Sequence, residues 1–263
     1  MAGPVLIFDS GIGGLSVANS LRQHYPEMAM CYACDNAWLP YGRRDDNALA
    51  KRIVEVCQAA VNACQASVLV VACNTASTLA LAALRETLTI PVVGTVPAIK
   101  PAALVSKSRH IGLLATSATV NRPYTQGLIE SFAGDCLVTK VAADALVTEA
   151  EAWLAGMPLN TSRIDQALQP LWHAIQSTPG LDTVVLGCTH FPLLKHLLVR
   201  LAPSPLEWVD SGDAIARRVG EVAKTLAYSR ADSRCFTTAA ADEQVEGFAR
   251  YGFQAPQRLT LVQ

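Results

Sequence analysis

The sequence predicts an α/β protein: two similar doubly wound parallel-sheet domains, related by a pseudo-twofold axis, with the active site between them. Three observations predict it. Short runs of Val, Ile and Leu alternate with helical stretches from end to end, the pattern of strands buried on both faces of a parallel sheet. The chain also resembles itself. Val68-Leu-Val-Val-Ala-Cys73-Asn-Thr75 parallels Thr183-Val-Val-Leu-Gly-Cys188-Thr-His190 at an offset of 115, and Leu6-Ile-Phe-Asp-Ser10 parallels Gly112-Leu-Leu-Ala-Thr116 at an offset of 106. Finally, 263 residues at 51% hydrophobic and 16% charged content suffice for one large core or two small ones and rule out disorder as the main state.

The elements follow in order. Residues 5–8 form a short apolar strand, followed by a glycine-rich turn and a helix over 15–24. A strand at 28–34 precedes a long helix over 46–64, with Asp45 or Asp46 near its start as cap. A buried strand at 68–72, a helix over 76–88 and a strand at 91–95 complete the first series. Strands at 110–115, 137–142 and 183–187 continue it, separated by helices over 119–132, 144–155 and 163–177, with another over 192–201. A strand at 206–209, a helix over 213–228 and a strand at 235–238 close the chain. No long Pro/Gly/Ser linker divides the halves. A crossover near Pro97 and a return near Val209 give residues 1–96 with 209–263 as the first domain and 97–208 as the second.

Charge excludes several partners. Lys plus Arg number 21 against 22 Asp plus Glu, a net charge of -1, so no nucleic acid or anionic membrane is expected. The longest uncharged run, between Glu55 and Arg85, is interrupted by Asn62, Gln65, Ser67, Asn74, Thr75, Ser77 and Thr78, and reads as helix end, strand, turn and helix, not as a membrane span. Met-Ala-Gly-Pro leads directly into an apolar strand without a basic and apolar leader, so a cytoplasmic location is expected. Cys31 and Cys34 form a CxxC, but on a strand and with no second pair for zinc. They read as buried structural thiols, as do Cys57, Cys64, Cys136 and Cys235. No metal is expected.

Ligands of open α/β sheets bind beyond the carboxyl ends of the strands. Three polar clusters sit there: Asp9-Ser10, Cys73-Asn74-Thr75 and Cys188-Thr189-His190. Each leads toward a helix, whose N-terminal NH groups favour an anion and lower a thiol pKa, which predicts thiolate character at Cys73 and Cys188. Gly11-Ile-Gly13-Gly14 is neither GxGxxG nor a P-loop and reads first as a tight turn. Pro40-Tyr41-Gly42 is a second strand-end turn.

Together Asp9-Ser-Gly-Ile-Gly-Gly-Leu-Ser16, Pro40-Tyr-Gly42, Ala72-Cys-Asn-Thr-Ala-Ser77 and Gly187-Cys-Thr-His-Phe-Pro192 resemble the motif set of the glutamate racemases, spread in the right order over most of the chain. The resemblance implies a cofactor-independent enzyme that interconverts L- and D-glutamate and supplies D-glutamate for peptidoglycan. It implies Cys73 and Cys188 as the catalytic pair, with Asp9 and His190 assisting. Asp9, Ser10, Tyr41, Gly42, Asn74, Thr75, Thr189 and His190 would contact or serve the substrate, and Thr116 and Thr119 would add hydroxyls. Glu151 resembles an acidic residue near the site, with Glu149 close enough to leave the register open. Phe191 departs from the Tyr of many members, and Thr95-Val-Pro97 from a common Glu-Pro. A homodimer is compatible with this reading.

The chemistry agrees with the resemblance. Racemisation removes a proton from one face of Cα and returns one to the other, so two opposed groups are wanted, and the carbanion needs NH and OH donors at the carboxylate. No Lys occupies a strand-end cluster, which disfavours pyridoxal phosphate. Three alternatives compete: an aspartate racemase, against which His190 speaks; a Cys/His hydrolase, which leaves Cys73 unexplained; and a binding module, which needs no thiol pair.

Overall fold

The computed structural model of the chain describes residues 3–223 and 233–261. The first series of elements is β1 (Val5–Asp9), α1 (Leu15–His24), β2 (Met30–Cys34), α2 (Asp46–Cys64), β3 (Val68–Val71), α3 (Asn74–Thr87) and β4 (Val92–Gly94). The second is α4 (Ile99–Val105), β5 (His110–Ala115), α5 (Ser117–Val120), α6 (Pro123–Phe132), β6 (Leu137–Ala142), α7 (Ala145–Leu154), α8 (Thr161–Ile175), β7 (Thr183–Leu186), α9 (Lys195–Leu201) and β8 (Glu207–Val209). The chain closes with α10 (Gly212–Val222), β9 (Cys235–Thr237), α11 (Val245–Arg250) and β10 (Gln257–Arg258).

All the strand pairings are parallel and fall into two sheets, β10-β9-β2-β1-β3-β4 and β6-β5-β7-β8. The second sheet repeats the order β2-β1-β3-β4 of the first. The internal likeness of the sequence survives in the register: Leu6 pairs with Leu69, and their counterparts Gly112 and Val184 pair with each other. Both faces of the apolar strands β1, β2, β3, β5 and β7 are covered, as period-2 geometry requires, whereas the edge strand β6, which carries Thr139 and Lys140, is largely open. Val5, Ile7, Val68 and Val70 face one core with Leu114, Val184 and Leu186 of the other sheet, so this core runs through both halves. Leu6, Phe8, Leu69 and Val71 face a second core under α2 and α3, and Ile111, Leu113 and Val185 a third under α4 and α6.

Several boundaries move for local reasons. Asp45 is the cap of α2, its carboxylate accepting the Ala48 amide at 2.9 Å. The helix predicted over 119–132 is two helices, because Pro123 has no N–H to continue one and holds Arg122 extended. The helix predicted from Pro192 begins as a 3-10 turn at Phe191–Leu194. α4 was not among the predicted helices; its Pro101 lies in the first turn, where the missing N–H has no partner to lose. The helix predicted over 213–228 is observed to Val222, and 224–228 lie outside the described residues. Cys136 is half-exposed, unlike Cys31, Cys34, Cys57, Cys64 and Cys235, which are buried as expected. Among the described residues no helix is long and apolar enough to cross a membrane.

Candidate active site

With parallel strands, each sheet presents all its carboxyl ends on one edge, and here the two edges meet. Ser10 after β1, Cys73, Asn74 and Thr75 at the start of α3, Thr116 and Thr119 after β5, and Cys188, Thr189 and His190 after β7 line one cavity. Tyr41 and Gly42 complete its wall, and its volume is about 680 Å³ including the mouth. Asn74 is nearly buried, and its Oδ1 has no hydrogen-bond partner in the protein, an arrangement that suits a ligand N–H. Thr116 and Thr119 share a hydrogen bond at 3.1 Å, leaving one hydroxyl proton to offer outward.

The two thiols sit in different surroundings. Cys73 Sγ donates to Ser10 Oγ at 3.7 Å, and Ser10 in turn donates its amide (2.6 Å) and hydroxyl (3.2 Å) to Asp9. Burial pushes the Cys73 thiol well up, the Asp9 charge adds to this, and the Ala76 amide and Ser10 only partly offset it. Desolvation thus opposes the thiolate that the helix N-terminus would favour at Cys73. Cys188 Sγ lies 3.7 Å from His190 Nδ1, while His190 Nε2 bonds Glu151 Oε1 at 2.7 Å. Burial pulls the His190 pKa down, but the hydrogen bonds and negative charges of Cys188 and Glu151 outweigh it and carry it well above 6.5.

Of the expected substrate contacts, Asp9 does not line the cavity, and Tyr41 lines it with its hydroxyl engaged by Asp35. Asp9 is fully buried behind Ser10 and accepts from Thr189 Oγ1 at 2.8 Å, so it reaches the cavity only through Ser10 and Thr189. Burial raises its pKa, and the His190 charge and the Thr189 and Ser10 donors do not cancel that rise. Tyr41 lines the cavity, and its hydroxyl donates to Asp35 at 3.0 Å. Asp35 is fully buried and also takes both arms of Arg52 (2.8 and 3.0 Å) and the Thr238 hydroxyl (2.6 Å), fixing the 40–42 turn to α2 and β9. Of the two acids left open, Glu151 bonds His190, whereas Glu149 accepts from the Asn160 amide (3.0 Å) and Arg163 (3.4 Å).

The glycine run is explained by approach between the halves. A Cβ on Gly11 would overlap Glu151 Oε1, and one on Gly13 would overlap Thr189 Oγ1 and His190 Nδ1. Neither glycine needs positive φ. Ser16 adds a bond across the same gap, to the Thr189 carbonyl at 2.8 Å. Asp144, Val147 and Thr148 also line the cavity and were not singled out. Asp144 had a signal, a polar residue after the strand at 137–142; Thr148 had none. Among the described residues no cluster of three or more His, Cys, Asp or Glu is placed for a metal.

Comparisons with known proteins point to one family. The family model described as Asp/Glu/Hydantoin racemase matches residues 15–219. A glutamate racemase of Klebsiella pneumoniae (strain 342) is 44% identical over 263 residues, covering 98% of this chain and 92% of that protein. One of Shewanella halifaxensis is 47% identical over 226 residues, covering 86% and 83%. The crystal structure of Escherichia coli glutamate racemase, described as a complex with L-glutamate and the activator UDP-MurNAc-ala, superposes with a TM-score of 0.93 at 40% identity over 100% of both chains. The chain belongs to the Asp/Glu/hydantoin racemase family and, at that identity and coverage, to its glutamate racemases.

Proposed function

We propose that this chain interconverts L- and D-glutamate by two-base proton transfer at Cα without a cofactor, and that it supplies D-glutamate for peptidoglycan in the cytoplasm. One observation carries the reading: two thiols at equivalent strand ends of two like-ordered sheets line a single cavity. The relatives' name supports glutamate as the substrate. Residues 1–96 with 209–263 and residues 97–208 are the two domains that bracket it.

In this scheme Cys188, beside a charged His190 that offers a counter-charge to a thiolate, takes the Cα proton of L-glutamate. Cys73, held as a thiol, gives its proton to the opposite face of the resulting carbanion, which becomes D-glutamate and leaves Cys73 as the thiolate and Cys188 as the thiol. The reverse direction exchanges the two roles. Asn74 and Thr75 are the donors at the substrate's polar groups, strengthened by exclusion of water from the closed site, while Ser10 and Thr189, whose hydroxyls are given to Asp9, line the cavity beside them. Thr116, Thr119, Gly42 and Tyr41 shape the rest of the cavity.

The test is incubation of the purified chain with each enantiomer of glutamate and of aspartate, followed by chiral analysis. Interconversion of glutamate with aspartate nearly untouched is expected, and treatment with a chelator or carbonyl reagent should leave the rate unchanged. Comparable rates on aspartate overturn the substrate assignment.

A further inference from the structure

We propose that Gln244 is a positioning residue for the Glu151–His190 pair; this rests on reading His190 as the helper of Cys188. Glu151 stands on α7, among the elements that cover the second sheet. Its Oε1 accepts from His190 Nε2 at 2.7 Å and from the Ile12 amide at 2.9 Å, and its Oε2 accepts from Gln244 Nε2 at 3.1 Å. Ile12 follows β1, and Gln244 closes the 3-10 turn Asp242–Gln244 after β9, so both outside donors belong with the first sheet. A carboxylate at the end of a Glu side chain turns freely about its terminal torsion unless both oxygens are held. With Oε2 fixed by Gln244, Oε1 is left facing His190.

The chemical type matters as well. A neutral amide holds Glu151 without cancelling its charge, so the charge remains available to His190. A Lys or Arg at 244 would compete with the imidazolium for it. The geometry thus assigns to the C-terminal part of the chain a role in the chemistry of a thiol that belongs to the other half. Gln244 is half-exposed, so its replacement leaves no hole in a core.

The experiment uses the full chain with Gln244→Met, which keeps the length and removes the donor, and Gln244→Glu, which opposes Glu151 with an acceptor. The readouts are kcat, KM and the primary isotope effect on kcat for α-deuterated L- and D-glutamate, with thermal melting to confirm folding. kcat should fall about tenfold in Gln244→Met, the scale of one hydrogen bond to a charged group, with KM changed by less than about twofold. Slowing proton transfer at Cys188 makes that step more rate-limiting. The isotope effect should therefore rise with deuterated L-glutamate and fall with deuterated D-glutamate, more strongly in Gln244→Glu. Isotope effects unchanged for both enantiomers in a folded variant overturn the proposal whatever kcat does. The mirrored pattern upholds Gln244 and reverses which thiol serves which enantiomer. Absence of racemisation by the unsubstituted chain overturns the functional reading itself, and the proposal with it.

Discussion

The two halves share a strand order and differ in how each equips its thiol. In the first, Cys73 has a hydroxyl and a buried carboxyl behind it, and burial pushes its pKa up. In the second, Cys188 has an imidazole held by a carboxylate. A reaction whose substrate and product are mirror images does not require mirror-image catalysts. It requires a proton carrier on each face, and the two carriers can be tuned by unlike neighbours. The halves also exchange support. Glu151 of the second is held by the Ile12 amide and Gln244, and Asp9 of the first accepts from Thr189.

The largest effect should come from removing either carrier. Cys73→Ala and Cys188→Ala should each lower racemisation roughly 10²–10⁴-fold, the contribution of a positioned acid or base. A loss confined to one variant would leave the reaction with a single thiol and end the comparison.

Next comes a difference in stability. Asp35, after β2, is buried under four donors, whereas Asp144, after β6, is exposed and accepts from the amide and hydroxyl of Ser117. Arg52→Met removes the charge partner of a buried carboxylate and should lower unfolding stability by about 3 kcal/mol in denaturant melts. Ser117→Ala, at the exposed counterpart, should cost within about 0.5 kcal/mol. Equal losses would show that the first half does not depend on its buried pair.

Gly13→Ala tests the contact between halves. A methyl group there must displace Thr189 and His190, so activity should fall on the order of 10²-fold while the melting point changes little. Retained activity would mean the halves tolerate separation at this point.

The smallest effect is on pH dependence. His190 has its folded-state pKa raised above 6.5, so its protonated form favours the folded state. That contribution is complete below about 6.5 and is lost as pH rises through the folded-state value. His190→Asn should flatten the decline of stability on the alkaline side. An unchanged slope would mean that the imidazole is not charged against Glu151.

The strands and the polar clusters at their ends were legible because a parallel sheet buried on both faces leaves unbroken apolar runs, and polar residues at the ends of such runs stand out. Cys73, Cys188 and the donors around them were found that way. What neighbours do was not legible. The raised pKa of Cys73 comes from burial, and spacing does not report burial. The placing of Asp9 behind Ser10 and the turning of the Tyr41 hydroxyl toward Asp35 depend on which side chain faces the cavity. The glycine run was seen, but its cause lies far along the chain, in the carboxylate of Glu151 for Gly11 and in the side chains of Thr189 and His190 for Gly13. Gln244 had no signal at all, since its partner belongs to the other half.

The central claim is that each thiol serves one face of Cα, and deuterium uptake tests it most directly. Each enantiomer of glutamate is incubated in heavy water with Cys188→Ala and with Cys73→Ala, and exchange at Cα is followed by proton NMR. The account predicts that Cys188→Ala exchanges only D-glutamate and Cys73→Ala only L-glutamate, neither inverting its substrate. Exchange of both enantiomers by one variant, or full racemisation by either, would contradict it.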